Sequence, residues 1–165
     1  EPSRRQRQMC IRDRKRPLEK SLSVLVDQEW LGKLAYWEDN KIDRIIEDFW
    51  PGPLTLVLPA RRELPEFLKG PNQTIALRWS SSSVVQEMIK LGECPLIGTS
   101  ANLSGMPSCS SSAEVVEQFG DQTPLLVDSG ALPENLPTTL LDCTRNPFSF
   151  IRSGSIDQKI LEDYI

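Results

Sequence analysis

Thr99-Ser100-Ala101-Asn102-Leu103-Ser104-Gly105 follows the apolar stretch Pro95-Leu96-Ile97 after a single glycine, and this junction is the most informative feature of the chain. The apolar stretch predicts a strand, so the polar residues lie in the loop at its end. Their hydroxyl and carboxamide groups are able to bind phosphate or ribose oxygens. The junction therefore indicates an anion or nucleotide site. An ordinary turn is the alternative, because Ser, Asn and Gly are also common in turns.

Apolar residues on either side of this junction follow strand and helix patterns in alternation. The predicted strands cover Leu22–Val26, Leu54–Leu58, Thr74–Leu77, Leu96–Gly98, Leu125–Val127, Thr139–Asp142 and Ile151–Arg152. The predicted helices cover Lys41–Trp50, Ser83–Leu91, Ala113–Phe119 and Asp157–Tyr164. This alternation predicts an α/β fold.

Composition limits the chemistry that the chain is able to perform. The 165 residues are 39% hydrophobic and include no histidine, which excludes Ser-His-Asp and Cys-His catalysis. The four cysteines lack the paired short spacing of a zinc site or a disulfide framework, so buried free thiols are favoured. No segment has the pattern of a membrane span or a signal peptide, so we expect a cytoplasmic protein with no membrane partner.

Two groups of polar residues extend the candidate site. Arg16 and Lys20 lie in a basic segment that suits a polyphosphate or an RNA backbone, although the net charge of −4 does not indicate nucleic-acid binding. A solvated basic loop is the alternative. Thr74 and Arg78 lie four residues apart on a predicted strand, so their side chains share one face. A surface salt bridge is the alternative role for Arg78.

Several segments together resemble the YrdC-like family from about Arg14 to about Ile156. They are Arg14-Lys15-Arg16-Pro17, Trp50-Pro51-Gly52-Pro53-Leu54-Thr55, Thr74-Ile75-Ala76-Leu77-Arg78-Trp79 and the Thr99–Gly105 junction with Pro107. The resemblance implies a twisted mixed sheet flanked by helices, with a concave ligand-binding face. It also implies an enzyme that forms threonylcarbamoyl-adenylate and pyrophosphate from L-threonine, bicarbonate and ATP, for the threonylcarbamoyladenosine at tRNA position 37.

The resemblance also implies roles for individual residues. The implied ATP-binding residues are Arg16, Lys20, Thr74, Ser100, Ser108 and Arg152. Arg78 and Gly98 would bind threonine, and Arg14 and Asn102 would add to the polar pocket. No residue is assigned a covalent catalytic role. Mg²⁺ is expected to accompany ATP, with no tightly bound organic cofactor.

The chain departs from the family pattern at four positions. Arg14 and Leu25 stand where members usually have lysine and histidine, and Ser21 and Ser153 stand where proline is common. Ser153 follows Arg152 in the segment that closes over the nucleotide, so its replacement of proline puts the rigidity of that segment in doubt. Asp142 is either a weak Mg²⁺ ligand or, as we favour, a turn-capping residue.

The first residues have a separate explanation. Met9-Cys10-Ile11-Arg12-Asp13 is the translation of ATGTGTATAAGAGAC, which looks like a transposase sequencing adaptor. We therefore expect residues 1–13 to be non-native, and residues 14–165 to form a YrdC-like domain without the family's N-terminal strand and helix. The Tyr-Pro-Thr-Glu motif of that region is absent from the sequence.

Two other functions remain open from the sequence. One is a YrdC-like module that binds tRNA or double-stranded RNA without catalysis, and the other is an inactive truncated fragment. The enzyme hypothesis implies downstream partner enzymes that transfer the threonylcarbamoyl group to tRNA.

Overall fold

The computed structural model describes residues 22–123, 125–131 and 136–165. These residues form two compact units. The sheet unit comprises residues 22–98 and 136–165, and the loop–helix unit comprises residues 99–123 and 125–131. The predicted residues Arg14, Arg16, Lys20 and Ser21, and the expected non-native segment 1–13, lie outside the described residues.

The sheet unit has a six-stranded mixed sheet in the order β4-β1-β3-β2-β5-β6. Its strands are β1 (Ser23–Val26), β2 (Leu54–Pro59), β3 (Thr74–Trp79), β4 (Leu96–Gly98), β5 (Thr139–Asp142) and β6 (Ser149–Arg152). The β1–β3 and β2–β5 pairs are parallel, whereas β1–β4, β2–β3 and β5–β6 are antiparallel. The predicted α/β class is therefore confirmed, with both strand directions in one sheet.

The described residues of this unit contain four α-helices. They are α1 (Gln28–Leu34), α2 (Asn40–Phe49), α3 (Ser83–Gly92) and α5 (Gln158–Leu161). Asp27, Asp39 and Asp157 cap three of them by accepting hydrogen bonds from first-turn backbone N–H groups. Helix α1 was not predicted, because its seven residues are too short for a clear helical period.

The hydrophobic core lies on one face of the sheet. Leu54, Leu56 and Leu58 of β2 are fully buried there, and Ile42 and Ile45 of α2 pack into the same cluster. Alternation along a strand sends the intervening residues to the opposite face. That second face carries Thr74 and Arg78, so the prediction that these residues share a face is confirmed.

The Trp50-Pro51-Gly52-Pro53 segment has the structural role that the sequence predicts. Trp50 ends α2, is buried, and donates from Nε1 to the carbonyl of Leu54 at 2.8 Å. Gly52 is required by a close approach, because a Cβ at this position would lie 2.3 Å from the carbonyl oxygen of Phe49. The segment therefore fixes how the chain passes from α2 into β2.

The loop–helix unit contains α4 (Ser112–Phe119), which confirms the predicted helix over Ala113–Phe119. Ser111 caps this helix by accepting from the backbone N–H of Glu114 at 3.3 Å. The predicted strand Leu125–Val127 is wrong. These residues are exposed and pair with no strand among the described residues. An apolar stretch forms a strand only when its backbone pairs with a neighbour.

Other local predictions are refined by the structure. The last predicted helix divides into α5 and a 3-10 turn at Glu162–Tyr164. Asp142 is a turn-capping residue: Oδ1 accepts from the backbone N–H of Thr144 at 2.9 Å, and Oδ2 pairs with Arg145 at 3.0 Å. Of the three described cysteines, only Cys143 is buried, and Cys94 is exposed, which corrects the prediction of buried thiols.

We predict that Gly154→Ala destabilises the sheet unit. A Cβ at Gly154 would lie 2.2 Å from the carbonyl oxygen of Pro137 and 2.4 Å from Thr139 N, which are backbone atoms that cannot rotate away. Urea unfolding should show a loss of at least about 2 kcal/mol. Gly32→Ala is the control, because Gly32 lies in α1 with open space around it and should gain about 0.5–1 kcal/mol. Equal effects of the two variants would contradict the close-approach explanation.

We also predict that the C-terminal turn makes stability depend on pH above 10. The hydroxyl of Tyr164 donates to Asp48 at 2.5 Å, and this hydrogen bond raises the pKa of Tyr164. A raised pKa in the folded state stabilises the fold below about pH 10 and loses that contribution as pH rises through the folded-state pKa. The free energy of unfolding should therefore fall more steeply above pH 10 in the wild type than in Tyr164→Phe. Parallel curves for the two proteins would contradict this coupling.

Candidate functional site

The predicted site residues divide between the two units. The sheet unit contains Thr74, Arg78, Gly98 and Arg152, and the loop–helix unit contains Ser100, Asn102 and Ser108.

A row of residues on neighbouring strands crosses the second face of the sheet, with Arg78 at one end and Arg152 at the other. Arg78 of β3 pairs with Leu25 of β1, and the antiparallel β2–β3 register brings Thr55 beside Arg78. Thr55 pairs with Leu140, which in turn pairs with Arg152. Adjacent strands lie about 4.8 Å apart, so the two arginine backbones are separated by about 14 Å. We call this set the Arg78–Arg152 row.

Arg78 is a half-buried cation. Its Nε donates to the carbonyl of Gly52 at 3.2 Å, and it forms no ion pair with any residue in the described part of the chain. Burial lowers the pKa of the Arg78 guanidinium, yet arginine stays protonated in proteins. A partly desolvated charge without a counter-charge is costly, so the position favours an anionic ligand.

The Pro51-Gly52-Pro53 turn also contributes to the placement of Arg78. The backbone N–H of Gly52 donates to the carbonyl of Trp79 at 2.8 Å, while the Gly52 carbonyl accepts from the Arg78 side chain. The turn therefore contacts both Arg78 and the residue after it. This part in the site was not predicted, because every residue has a backbone carbonyl and its role gives no signal in the sequence.

Arg152 is held by Thr138. Its Nε and Nη2 donate to the Thr138 carbonyl at 3.1 and 2.9 Å, and Nη2 also donates to Thr138 Oγ1 at 2.9 Å. Thr138 Oγ1 lies 3.0 Å from Thr55 Oγ1. Neither Thr55 nor Thr138 was predicted as a site residue. The adjacent pair Thr138-Thr139 at the start of the buried strand β5 was a usable signal for Thr138.

Thr74 and Gly98 have local roles in the sheet unit. Thr74 donates from Oγ1 to the carbonyl of Pro71 at 2.8 Å, which closes the turn before β3. A Cβ at Gly98 would lie 2.9 Å from the side chain of Leu25, so glycine allows Leu25 to cover this end of β4. The predicted ATP contact of Thr74 and threonine contact of Gly98 stay predictions.

In the loop–helix unit, Asn102 organises its own loop. Its Nδ2 donates to the carbonyls of Leu103 and Met106, both at 2.9 Å, and its Oδ1 accepts from Ser100 Oγ at 2.5 Å. Its side chain thus orients the Ser100 hydroxyl and closes the turn that contains Gly105, whose φ of +89° suits glycine. Ser108 is exposed.

Two carboxylates of this unit, those of Glu114 and Asp128, accept hydrogen bonds in local turns. The backbone N–H of Ser110 lowers the pKa of Glu114, and that of Gly130 lowers the pKa of Asp128. Within the described residues, no group of three or more acidic, cysteine or histidine side chains is arranged to hold a metal ion. Asp142 is engaged by its turn and by Arg145.

The chain matches a known protein family over most of its length. The Sua5/YciO/YrdC family model, described as "telomere recombination", matches residues 3–154. The chain belongs to the Sua5/YciO/YrdC family. This confirms the YrdC-like resemblance of the sequence, whereas the proposed non-native origin of residues 1–13 stays a prediction.

Two curated relatives in this family are named threonylcarbamoyl-AMP synthase. The Pyrococcus abyssi protein is 32% identical over 151 residues, which cover 91% of this chain and 44% of the relative. The Klebsiella pneumoniae protein is 36% identical over 133 residues, which cover 78% of this chain and 69% of the relative. The chain thus spans less than half of the archaeal relative and about two thirds of the bacterial one.

Solved structures of the Sua5/YciO/YrdC family have the same fold. Pyrococcus abyssi Sua5, solved in complex with L-threonine, matches with a TM-score of 0.90 and 29% identity, over 99% of this chain and 48% of that protein. Escherichia coli YciO matches with a TM-score of 0.83 and 24% identity, over 98% of this chain and 78% of that protein. The predicted mixed sheet with flanking helices is therefore confirmed.

We predict that Asn102→Ala loosens the 99–107 loop without unfolding the sheet unit. The variant loses both amide donations and the contact with Ser100, so backbone amides of the loop should exchange about five- to thirtyfold faster in hydrogen-exchange measurements. The amide of Met106, which donates to Leu103, reports the change directly. Ser104→Ala serves as the matched loop control. Unchanged exchange in Asn102→Ala would show that the loop does not depend on this side chain.

Proposed function

We propose that this chain contains the catalytic domain of a threonylcarbamoyl-AMP synthase. The observation that carries the proposal is Arg78, a half-buried cation with no ion-pair partner among the described residues, on the sheet face opposite the core. The names of the relatives and the L-threonine complex of a structural neighbour support the same activity.

In the proposed reaction, the amine of L-threonine combines with bicarbonate to give N-carboxythreonine and water. A carbamate oxygen then attacks the α-phosphorus of ATP, and the bond from this phosphorus to the α,β-bridging oxygen breaks, so that this oxygen leaves as part of pyrophosphate. Positioning the carbamate in line and stabilising negative charge on phosphate oxygens are the main demands of such a step. Fixed cations and hydroxyl donors meet both demands without a covalent intermediate.

The roles proposed for individual residues follow the sequence prediction. Arg78 binds the carboxylate of threonine, since a guanidinium is able to hold two oxygens, and Gly98 lines the same subsite. The proposed ATP-binding residues are Arg16, Lys20, Thr74, Ser100, Ser108 and Arg152. Arg14 adds positive charge, whereas Asn102 acts by orienting Ser100.

Other components are proposed from the reaction. Mg²⁺ enters with ATP, because Mg²⁺ in such sites is bound largely by substrate phosphates and water. Downstream enzymes would transfer the threonylcarbamoyl group of the product to tRNA. We place the synthase and this transfer in the cytoplasm. The described residues contain no helix that is long and apolar enough to cross a membrane.

We predict that Arg78→Gln weakens L-threonine binding about thirty- to hundredfold, because a charge-assisted contact with the carboxylate is lost. Isothermal titration of L-threonine in the presence of Mg²⁺ and ATP measures this change, and pyrophosphate release with bicarbonate measures the reaction. Arg61→Gln is a matched control. Arg61 also donates from Nε to a glycine carbonyl, that of Gly32 at 3.0 Å, but it is exposed and lies on Tyr36.

The same titrations decide between functions. Binding of both ligands with pyrophosphate release supports the enzyme. Equal affinities of Arg78→Gln and Arg61→Gln for L-threonine would show that Arg78 does not bind threonine. If the wild-type chain binds neither ligand while its unfolding curve shows a folded protein, the proposed function is wrong for this chain. Binding of double-stranded RNA under those conditions would favour the RNA-binding module.

A further inference from the structure

Thr55 is a buried polar residue that the proposed reaction does not use. It lies between the two arginines of the Arg78–Arg152 row. Its exposed fraction is 3%, and its chain neighbours Leu54 and Leu56 are fully buried. A valine at this position would fill nearly the same volume and would need no hydrogen bond. Burial of a hydroxyl costs free energy unless the hydroxyl forms a hydrogen bond, so Thr55 needs a hydrogen-bond partner.

That partner is Thr138, whose Oγ1 lies 3.0 Å from Thr55 Oγ1. Thr138 Oγ1 also accepts a hydrogen bond from Arg152 Nη2 at 2.9 Å, because a guanidinium is only a donor. Thr138 is therefore the central member of a chain of contacts from buried Thr55 to exposed Arg152.

The direction of the Thr55–Thr138 hydrogen bond follows from burial. Among the described residues, no other hydrogen-bond partner is found for the Thr55 hydroxyl, so its hydrogen is satisfied only by donation to Thr138. Thr138 Oγ1 then accepts from both Thr55 and Arg152, and its own hydrogen is free to be donated to a further acceptor. The Nε–H and Nη2 donors of Arg152 are used by Thr138, which leaves Nη1 for a ligand.

We infer that Thr55 is a positioning residue that fixes Thr138 and, through it, Arg152 for an oxyanion ligand. This inference rests on the proposed function, in which Arg152 binds ATP, and identifies the ligand group as a phosphate. Thr55 itself does not touch the ligand. It limits rotation of the Thr138 side chain, and thereby keeps the Thr138 hydroxyl and the Arg152 Nη1 group in one arrangement.

The first test needs no ligand. In protein with ¹⁵N-labelled arginine, the Nη2 signal of Arg152, whose donor contacts Thr138 Oγ1, is assigned with Arg152→Lys, and its hydrogen-exchange rate is measured. Thr55→Val should raise this rate about three- to tenfold, because Thr138 loses the contact that holds its side chain. Thr55→Ser keeps the hydroxyl and should stay within about twofold of the wild type.

A matched control separates positioning from stability. Leu56→Val removes one methylene from the next residue of β2, on the opposite face of the sheet, at a cost in stability of the same order as loss of a hydrogen bond. It should leave the Arg152 exchange rate unchanged. An equal rate in Thr55→Val and the wild type, or an equal increase in Leu56→Val, would overturn the inference.

The second test is titration of ATP with Mg²⁺. Thr55→Val should weaken ATP binding about three- to tenfold, with normal affinity in Thr55→Ser and Leu56→Val. Normal ATP affinity in Thr55→Val overturns the inference. If the wild-type chain does not bind ATP, the proposed function fails, and the Arg152 exchange rates still decide whether Thr55 positions Arg152.

Discussion

The register between β2 and β3 is the constraint on which the rest of the sheet unit depends. It places Leu56 opposite Leu77 on the core face, and the same alternation sends Thr55 and Arg78 to the second face. A shift by one residue would move Arg78 into the core and expose Leu77. Burial of a guanidinium among leucines is far too costly for such a slip, so the core that stabilises the sheet also determines where the candidate site lies.

The sequence predicts those parts of the fold in which a local period is strong. The isoleucines of α2 and the alternating leucines of β2 gave correct elements, because each pattern reflects one buried face. The error at Leu125–Val127 has the opposite cause. Three apolar residues match a strand pattern, but strand formation depends on a neighbouring edge, which a single segment of sequence does not reveal.

The candidate site was predictable where side-chain chemistry is distinctive. Arg78 and Arg152 were selected as cations in family-like segments, and both lie on the second face of the sheet. The sequence did not reveal their anchors, since Gly52 and Thr138 act through backbone carbonyls that every residue has. Thr55 lies within a family-like segment, yet its hydrogen bond joins residues 83 positions apart and depends on the parallel β2–β5 pairing.

Neutral anchors explain how two arginines are held in place while keeping their charge for a ligand. A carboxylate partner would bind either guanidinium more strongly than a carbonyl does, but it would neutralise the charge and compete with an incoming anion. The carbonyls of Gly52 and Thr138 accept hydrogen bonds without adding a net charge. Each arginine is thus oriented by hydrogen bonds that use only some of its N–H groups. The remaining N–H groups and the full positive charge favour an anion over water, which is the property that a site for a carboxylate or a phosphate requires.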